Sequence, residues 1–228
     1  MSITGTSLLA VLCTLAGAAP AGAVVGGEPV APDSVPWLAD VAGCGGTLVA
    51  PDRVLTAGHC VKNVPLSHIA GVLVGTEQRH GTRFAMHPGW RHANGPHNVL
   101  DDVAIVALDT PVTTVAPVTL GGTPGAEAWI LGRGRQFAPG TGHSEKEILT
   151  ASGLRQAQLR PISDQQCAAA WKHRRGNAGE RFDAARMLCA IDVDGLEPLS
   201  SGCNGDSGGR VRTARRVRAA LNGITEEA

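Results

Sequence analysis

No part of this 228-residue chain sustains a helical apolar period; its apolar residues fall into short runs cut by turn-forming residues. The runs occupy 46–50, 53–57, 69–74, 103–108, 128–131 and 148–157, and Gly, Pro or Asp stands at most of their ends. Runs of this length and composition make strands, because a pleated backbone accommodates branched side chains and the bounding residues accept turn dihedrals. With 30 Gly and 14 Pro, the expected class is all-β, a barrel or sandwich with many turns. One short helix is expected at 165–172, with Asp164 as its cap. The Pro-rich stretch 110–124 marks the internal boundary.

Charge excludes several partners. Lys+Arg 20 balance Asp+Glu 20, so no net field draws the chain to nucleic acid or acidic membranes. A hydrophobic share of 43% against 18% charged residues belongs to a folded chain with a real core, since disorder needs the opposite balance. No repeat and no His-Glu-x-x-His metalloprotease motif occurs.

Residues 1–23 contain no Asp, Glu, Lys, Arg or His, and an apolar run from Leu8 to Leu15 leads to small residues ending Ala21-Gly22-Ala23. This pattern is that of a secretory leader cut after Ala23, although its first seven residues lack a basic side chain. Ala19-Pro20-Ala21 offers a second cleavage point, two residues earlier. The run is too short for a membrane span, which takes about 20 apolar residues. The expected location is therefore secreted and extracellular, with no membrane attachment once the leader is removed.

Six cysteines become five when Cys13 leaves with the leader. Cys44 and Cys60 stand 16 residues apart, Cys167 and Cys189 stand 22 apart, and Cys203 makes the number odd. None has the C-x-x-C spacing of a zinc or redox site, so structural disulfides are expected and no metal or other cofactor.

Four segments carry chemistry. In Leu55-Thr56-Ala57-Gly58-His59-Cys60 a histidine adjoins a cysteine at a strand end, and imidazole exchanges protons near neutral pH. In Asp101-Asp102-Val103-Ala104-Ile105-Val106 a carboxylate borders an apolar strand, where it can accept a hydrogen bond from a histidine and fix its tautomer. Cys203-Asn204-Gly205-Asp206-Ser207-Gly208-Gly209 places a serine among glycines. Its Gly-Asp-Ser-Gly-Gly core arises by chance in about one such chain in a thousand. The glycines let the N–H groups of Gly205 and Ser207 turn toward one point, as an oxyanion hole requires. Val24-Val25-Gly26-Gly27 begins where the leader ends. A new ammonium group on an apolar residue followed by glycines can bury itself against a carboxylate.

Together these segments resemble the chymotrypsin-like (trypsin-fold) serine proteases of the secreted bacterial type, over residues 24–209 and in the order His, Asp, Ser. Cys44-Gly45-Gly46-Thr47-Leu48, His87-Pro88-Gly89-Trp90, and Met187-Leu188-Cys189-Ala190 after Cys167 extend the likeness. The resemblance implies two packed six-stranded antiparallel barrels, at 24–112 and 113–228, with His59, Asp102 and Ser207 as the triad at their junction. Asp101 is the lesser candidate for the triad carboxylate. It further implies an oxyanion hole at Gly205 and Ser207, an activation pair of Val24 with Asp206, and disulfides Cys44–Cys60 and Cys167–Cys189. Ser201, six residues before Ser207, falls at the floor of the specificity pocket, where a neutral residue argues for apolar over basic side chains.

The tail departs from the family. Where Pro, an apolar strand and a Ser-Trp-Gly-like strand would follow, the chain reads Arg210-Val211-Arg212-Thr213-Ala214-Arg215-Arg216-Val217-Arg218 and stops at Ala228. The expectation is a truncated or divergent C-terminus, a second barrel incomplete after about residue 209, and a Cys203 without its partner. Arg133 also stands where the family often has Trp. Two readings follow: a monomeric secreted endopeptidase acting on peptide or protein substrates, or a truncated, catalytically incompetent trypsin-fold protein with at most a binding role.

Overall fold

The computed structural model describes residues 24–65, 67, 69, 71–92, 99–121, 126–134, 153–173, 182–193, 195, 200–202, 205–213 and 216–220. The expected leader 1–23 and Cys203 lie outside them. Two antiparallel sheets dominate. The first runs β6-β5-β2-β3-β4-β10-β7, from β2 (Leu38–Val41), β3 (Cys44–Ala50), β4 (Arg53–Thr56), β5 (Val72–Val74), β6 (Glu77–Arg79), β7 (Gly81–Met86) and β10 (Ala104–Leu108). The second runs β1-β12-β11-β14-β15 with β13 beside β12. Its strands are β1 (Glu28–Pro29), β11 (Ala128–Gly132), β12 (Arg155–Pro161), β13 (Ala190–Asp192), β14 (Arg210–Thr213) and β15 (Arg216–Ala220). A small hairpin joins β8 (Arg91–His92) to β9 (Val99–Leu100), and the helices described are α1 (Gly58–Val61), α2 (Asp164–His173) and a 3-10 turn at Pro32–Ser34.

Each sheet buries one face. Val41, Leu48, Val54, Val72, Val74 and Val106 are wholly enclosed in the first core, while Val24, Ala128, Ile130, Ala157 and Leu159 form the second. A third cluster sews the halves together, with Val35 and Leu38 against Leu131 and Leu154. Full burial of each valine, leucine or isoleucine among them stabilises by about 1.5–3 kcal/mol before chain entropy is counted. Two stretches cross the expected division at 112/113. Strand β1 pairs with β12 of the second sheet, and Val115 stays in the first core.

Several elements differ from expectation. The run 69–74 yields a strand only at Val72–Val74, and β7 was not anticipated, because its Gly81-Thr82-Arg83-Phe84-Ala85-Met86 mixes polar and apolar residues. It forms because β10 offers it a ladder, Ala104↔Met86 through Ala107↔Arg83 and, after a shift of register, Leu108↔Gly81. Of the expected run 148–157, residues 148–152 lie outside the described residues, and strand β12 takes up the rest from Arg155 and continues to Pro161. Helix α2 is capped by Ser163, not Asp164: Gln166 N–H donates to Ser163 Oγ at 3.3 Å and Ser163 N–H to Gln166 Oε1 at 3.1 Å, a reciprocal capping box. After Gly209, where the sequence left the second barrel short of residues, the backbone carries β14 on β11 and β15 on β14. Val211 and Val217 alternate with arginines there, and alternation is sufficient for a strand at a sheet margin.

Candidate active site

The register between β4 and β10 brings the first two functional side chains together. Thr56 pairs with Ala104, and the same antiparallel register continued by two residues sets Gly58 opposite Asp102. His59 then begins α1, and its backbone N–H donates to Asp102 Oδ1 at 2.7 Å while its ring Nδ1 lies 2.5 Å from Asp102 Oδ2. Trp90 Nε1 donates to Oδ1 as well, at 3.1 Å. The Asp102 side chain is 1% exposed and the His59 side chain 36%, so the carboxylate is sealed and the imidazole reaches solvent. Burial pushes the Asp102 carboxyl up, but the hydrogen bonds from the His59 ring and backbone, the ring's charge and the Trp90 indole outweigh it and hold the group below its ordinary value. Asp101 turns elsewhere, toward His87 Nδ1 at 3.9 Å and Arg186 Nε at 3.6 Å. It adopts φ +51°, a left-handed conformation that aspartate tolerates better than most residues.

The disulfide Cys44–Cys60, with Cα atoms 6.2 Å apart, ties the residue after His59 to the first residue of β3. Cys60 Sγ lies 3.5 Å from His59 Nε2 and 4.0 Å from the Ser207 carbonyl oxygen. Cys44, His59 and Cys60 are the one His/Cys cluster among the described residues close enough to share an ion, but the two sulfurs are bonded to each other and present no thiolate. The second disulfide, Cys167–Cys189, pins α2 to the residue before β13.

Ser207 arrives from the other half of the chain, on a tight turn closed by the Gly209 N–H donating to Asp206 O at 2.9 Å. Its carbonyl accepts the Gly45 N–H at 2.8 Å. The glycine after it is required: Gly208 has φ +76°, and a Cβ there would stand 2.3 Å from Gly45 O and 2.4 Å from Thr56 Oγ1. The serine turn thus rests on β3 and on the strand end that leads into His59. Ser207 is 8% exposed. Among the described residues no hydrogen bond joins it to His59.

Gly205 has φ +95°, with its open side against Gly134 Cα. Asp206 is fully buried, and its Oδ1 accepts the Gly134 N–H at 2.8 Å. Val24 is buried in the second core, where its nitrogen is an amide because residue 23 precedes it. Ser201 forms a bridge with Val25, its N–H donating to Val25 O at 3.1 Å. A shallow cleft opens beside Gly205, lined by Leu38, Asp40, Cys44 and Gly45 on one side and Gly132 and Arg133 on the other. Sequence reasoning missed this cleft and the Trp90 bond to Asp102. The signal for the latter was Gly58 itself, the residue that leaves room for the indole.

Two sheets of this topology, with these residues at their junction, define the fold of chymotrypsin-like serine proteases. The chain belongs to the trypsin family, whose sequence model matches residues 24–226. It is similar to human transmembrane protease serine 5, 31% identical over 230 residues that cover 90% of this chain and 46% of that protein. It is also similar to chymotrypsin-like elastase family member 1 of the cat, 30% identical over 191 residues, or 80% of this chain and 66% of that protein. The chain thus spans between about half and two thirds of the length of these relatives. Among solved structures, neuropsin, a serine protease of mouse brain, superposes with a TM-score of 0.67 at 23% identity, covering 86% of this chain and 85% of that one, a likeness of fold.

Proposed function

We propose that the protein is a secreted serine endopeptidase that cleaves peptide bonds by acyl transfer through Ser207, His59 and Asp102. The observation that carries this reading is the sealed Asp102 carboxylate 2.5 Å from His59 Nδ1, which leaves Nε2 as the ring's proton-accepting atom. In the first step His59 takes the Ser207 proton, Oγ attacks the substrate carbonyl, and the protonated ring then gives its proton to the leaving amine. Asp102 stabilises the imidazolium, and the Gly205 and Ser207 N–H groups hold the oxyanion, each such donor worth roughly 3 to 4 kcal/mol. In the second step water repeats the attack on the acyl-enzyme and frees Ser207.

Activation rests on the same chemistry. Cleavage of the leader after Ala23 frees the Val24 ammonium, which pairs with buried Asp206 and sets the Gly205 turn. The leader, a first barrel over 24–112 and a second over 113–228 are the corresponding units, with β1 contributed to the second sheet and Val115 to the first core. A neutral Ser201 at the pocket floor favours apolar side chains in the substrate. The protein acts as a monomer and without a cofactor.

A second reading, a trypsin-fold protein that binds without cleaving, is favoured by His59 Nε2 lying 3.5 Å from Cys60 Sγ with no hydrogen bond to Ser207. A fluorophosphonate probe separates the two. Labelling of the purified, leader-free chain that disappears in Ser207→Ala supports the peptidase, whereas no labelling of the folded protein supports the binding protein.

A further inference from the structure

We propose that Trp90 is a positioning residue for Asp102, its indole N–H fixing Oδ1 so that Oδ2 stays turned to His59; this rests on the triad reading given above. The indole and the His59 backbone N–H, at 3.1 and 2.7 Å, both donate to Oδ1, while the His59 ring meets Oδ2 at 2.5 Å. Rotation of the carboxylate would break two bonds on one oxygen, so its orientation is fixed from both ends. Three further features show the indole held in this role. An ideal Cβ on Gly58 would stand 2.7 Å from Trp90 Cδ1, 2.8 Å from Nε1 and 3.0 Å from Asp102 Oδ1, so only glycine leaves this space. The Trp90 backbone is pinned by its N–H donating to His87 O at 2.9 Å. Lys62 Nζ sits 4.5 Å from the centroid of the ring, and a cation on the π face draws electron density from the indole and strengthens its N–H as a donor.

The charged and titratable groups around Asp102 are His59, Lys62 across the indole, and Asp101 next in sequence with its partners His87 and Arg186. Trp90→Phe keeps the aromatic face toward Lys62 and removes only the donor. Without it the Asp102 carboxylate is more basic and holds the His59 imidazolium more firmly. The expected result is a kcat lower by about tenfold, the rate equivalent of one hydrogen bond to a charged group, with KM for a chromogenic peptide within twofold. The acid limb of kcat/KM moves to higher pH. Lys62→Met weakens the same donor and shifts the limb in the same direction by less, which keeps the test open if Trp90→Phe does not fold.

A direct readout needs no activity. The Trp90 indole N–H resonance, identified by its loss in Trp90→Phe, exchanges slowly with solvent and moves when Asp102→Asn is introduced. Fast exchange of that proton in the folded protein overturns the proposal, as does an acid limb unmoved in both variants while Ser207→Ala abolishes hydrolysis. Hydrolysis that survives Ser207→Ala is the different result that removes the triad reading.

Discussion

Asp102 commits both carboxylate oxygens to one residue, His59, meeting its ring at 2.5 Å and its backbone N–H at 2.7 Å. The ring therefore has one protonated nitrogen held from within and one turned out. Nothing else described in the molecule joins a buried anion to a half-exposed base in this way, and the chemistry proposed for the site follows from it.

Asp102→Asn should fold normally and lose about 10⁴-fold in kcat, the general magnitude when a triad carboxylate is replaced by an amide that selects the wrong tautomer. Steady-state kinetics beside circular dichroism test this. A loss under tenfold in a well-folded variant contradicts the role given to Asp102.

Acid should weaken the fold through the same group. The Asp102 carboxyl is lowered in the folded state, with burial opposing and the His59 hydrogen bonds prevailing; Asp109, on the surface, is lowered chiefly by the His80 backbone N–H at 3.1 Å. For a carboxyl depressed by folding, the stabilisation is complete above the ordinary aspartate value of about 3.9 and is lost as pH falls through the lower folded value. Urea midpoints should fall between pH 5 and pH 2, and Asp102→Asn should flatten that fall. An unchanged pH slope in the variant would count against it.

Gly208 and Gly43 form a controlled pair, since both have positive φ but only Gly208 is crowded. Gly43→Ala meets nothing within 4 Å and should cost about 1 kcal/mol from its φ of +80°. Gly208→Ala must push Gly45 or Thr56 aside, so it should cost more than about 2 kcal/mol and lower kcat besides. Chemical denaturation of the two variants settles the order; equal costs would show that the serine turn is not seated on β3.

The two disulfides should separate stability from activity. Replacing either pair with serine should cost about 3 kcal/mol, the usual value for closed loops of about this length. Loss of Cys44–Cys60 should also reduce kcat per folded molecule, because that bond adjoins His59, whereas loss of Cys167–Cys189 should not. Thermal melting with kinetics on the folded fraction measures both quantities.

Much of this was legible in the chain. His59, Asp102 and Ser207 stand in motifs whose neighbours have local reasons for their identity, the Ser207 turn needing Gly208 and the strand after Asp102 needing apolar residues. The disulfide partners could be read from the family likeness. What escaped depends on partners distant in sequence. The polar-apolar mixture of β7 becomes a strand only against β10, and β1 exists because Glu28 and Pro29 pair with Gln156 and Arg155 more than a hundred residues on. The cap of α2 was misplaced by one residue because Ser163 and Asp164 are both good caps, and only the reciprocal bonds with Gln166 distinguish them. The tail was expected to leave the second barrel incomplete because it lacks the family's apolar strand, yet β14 pairs with β11 there. The Trp90 bond escaped because its one local trace, the glycine at 58, names no partner, and no periodicity announces a bond between residues 90 and 102.

The most direct test is an active-site titration with an activated ester. A leader-free chain beginning at Val24 should release a burst of product close to one equivalent per folded molecule, followed by slow turnover, and His59→Ala should abolish the burst. A folded protein with an intact Cys44–Cys60 bond that gives no burst at neutral pH would show that the imidazole and the hydroxyl do not act together.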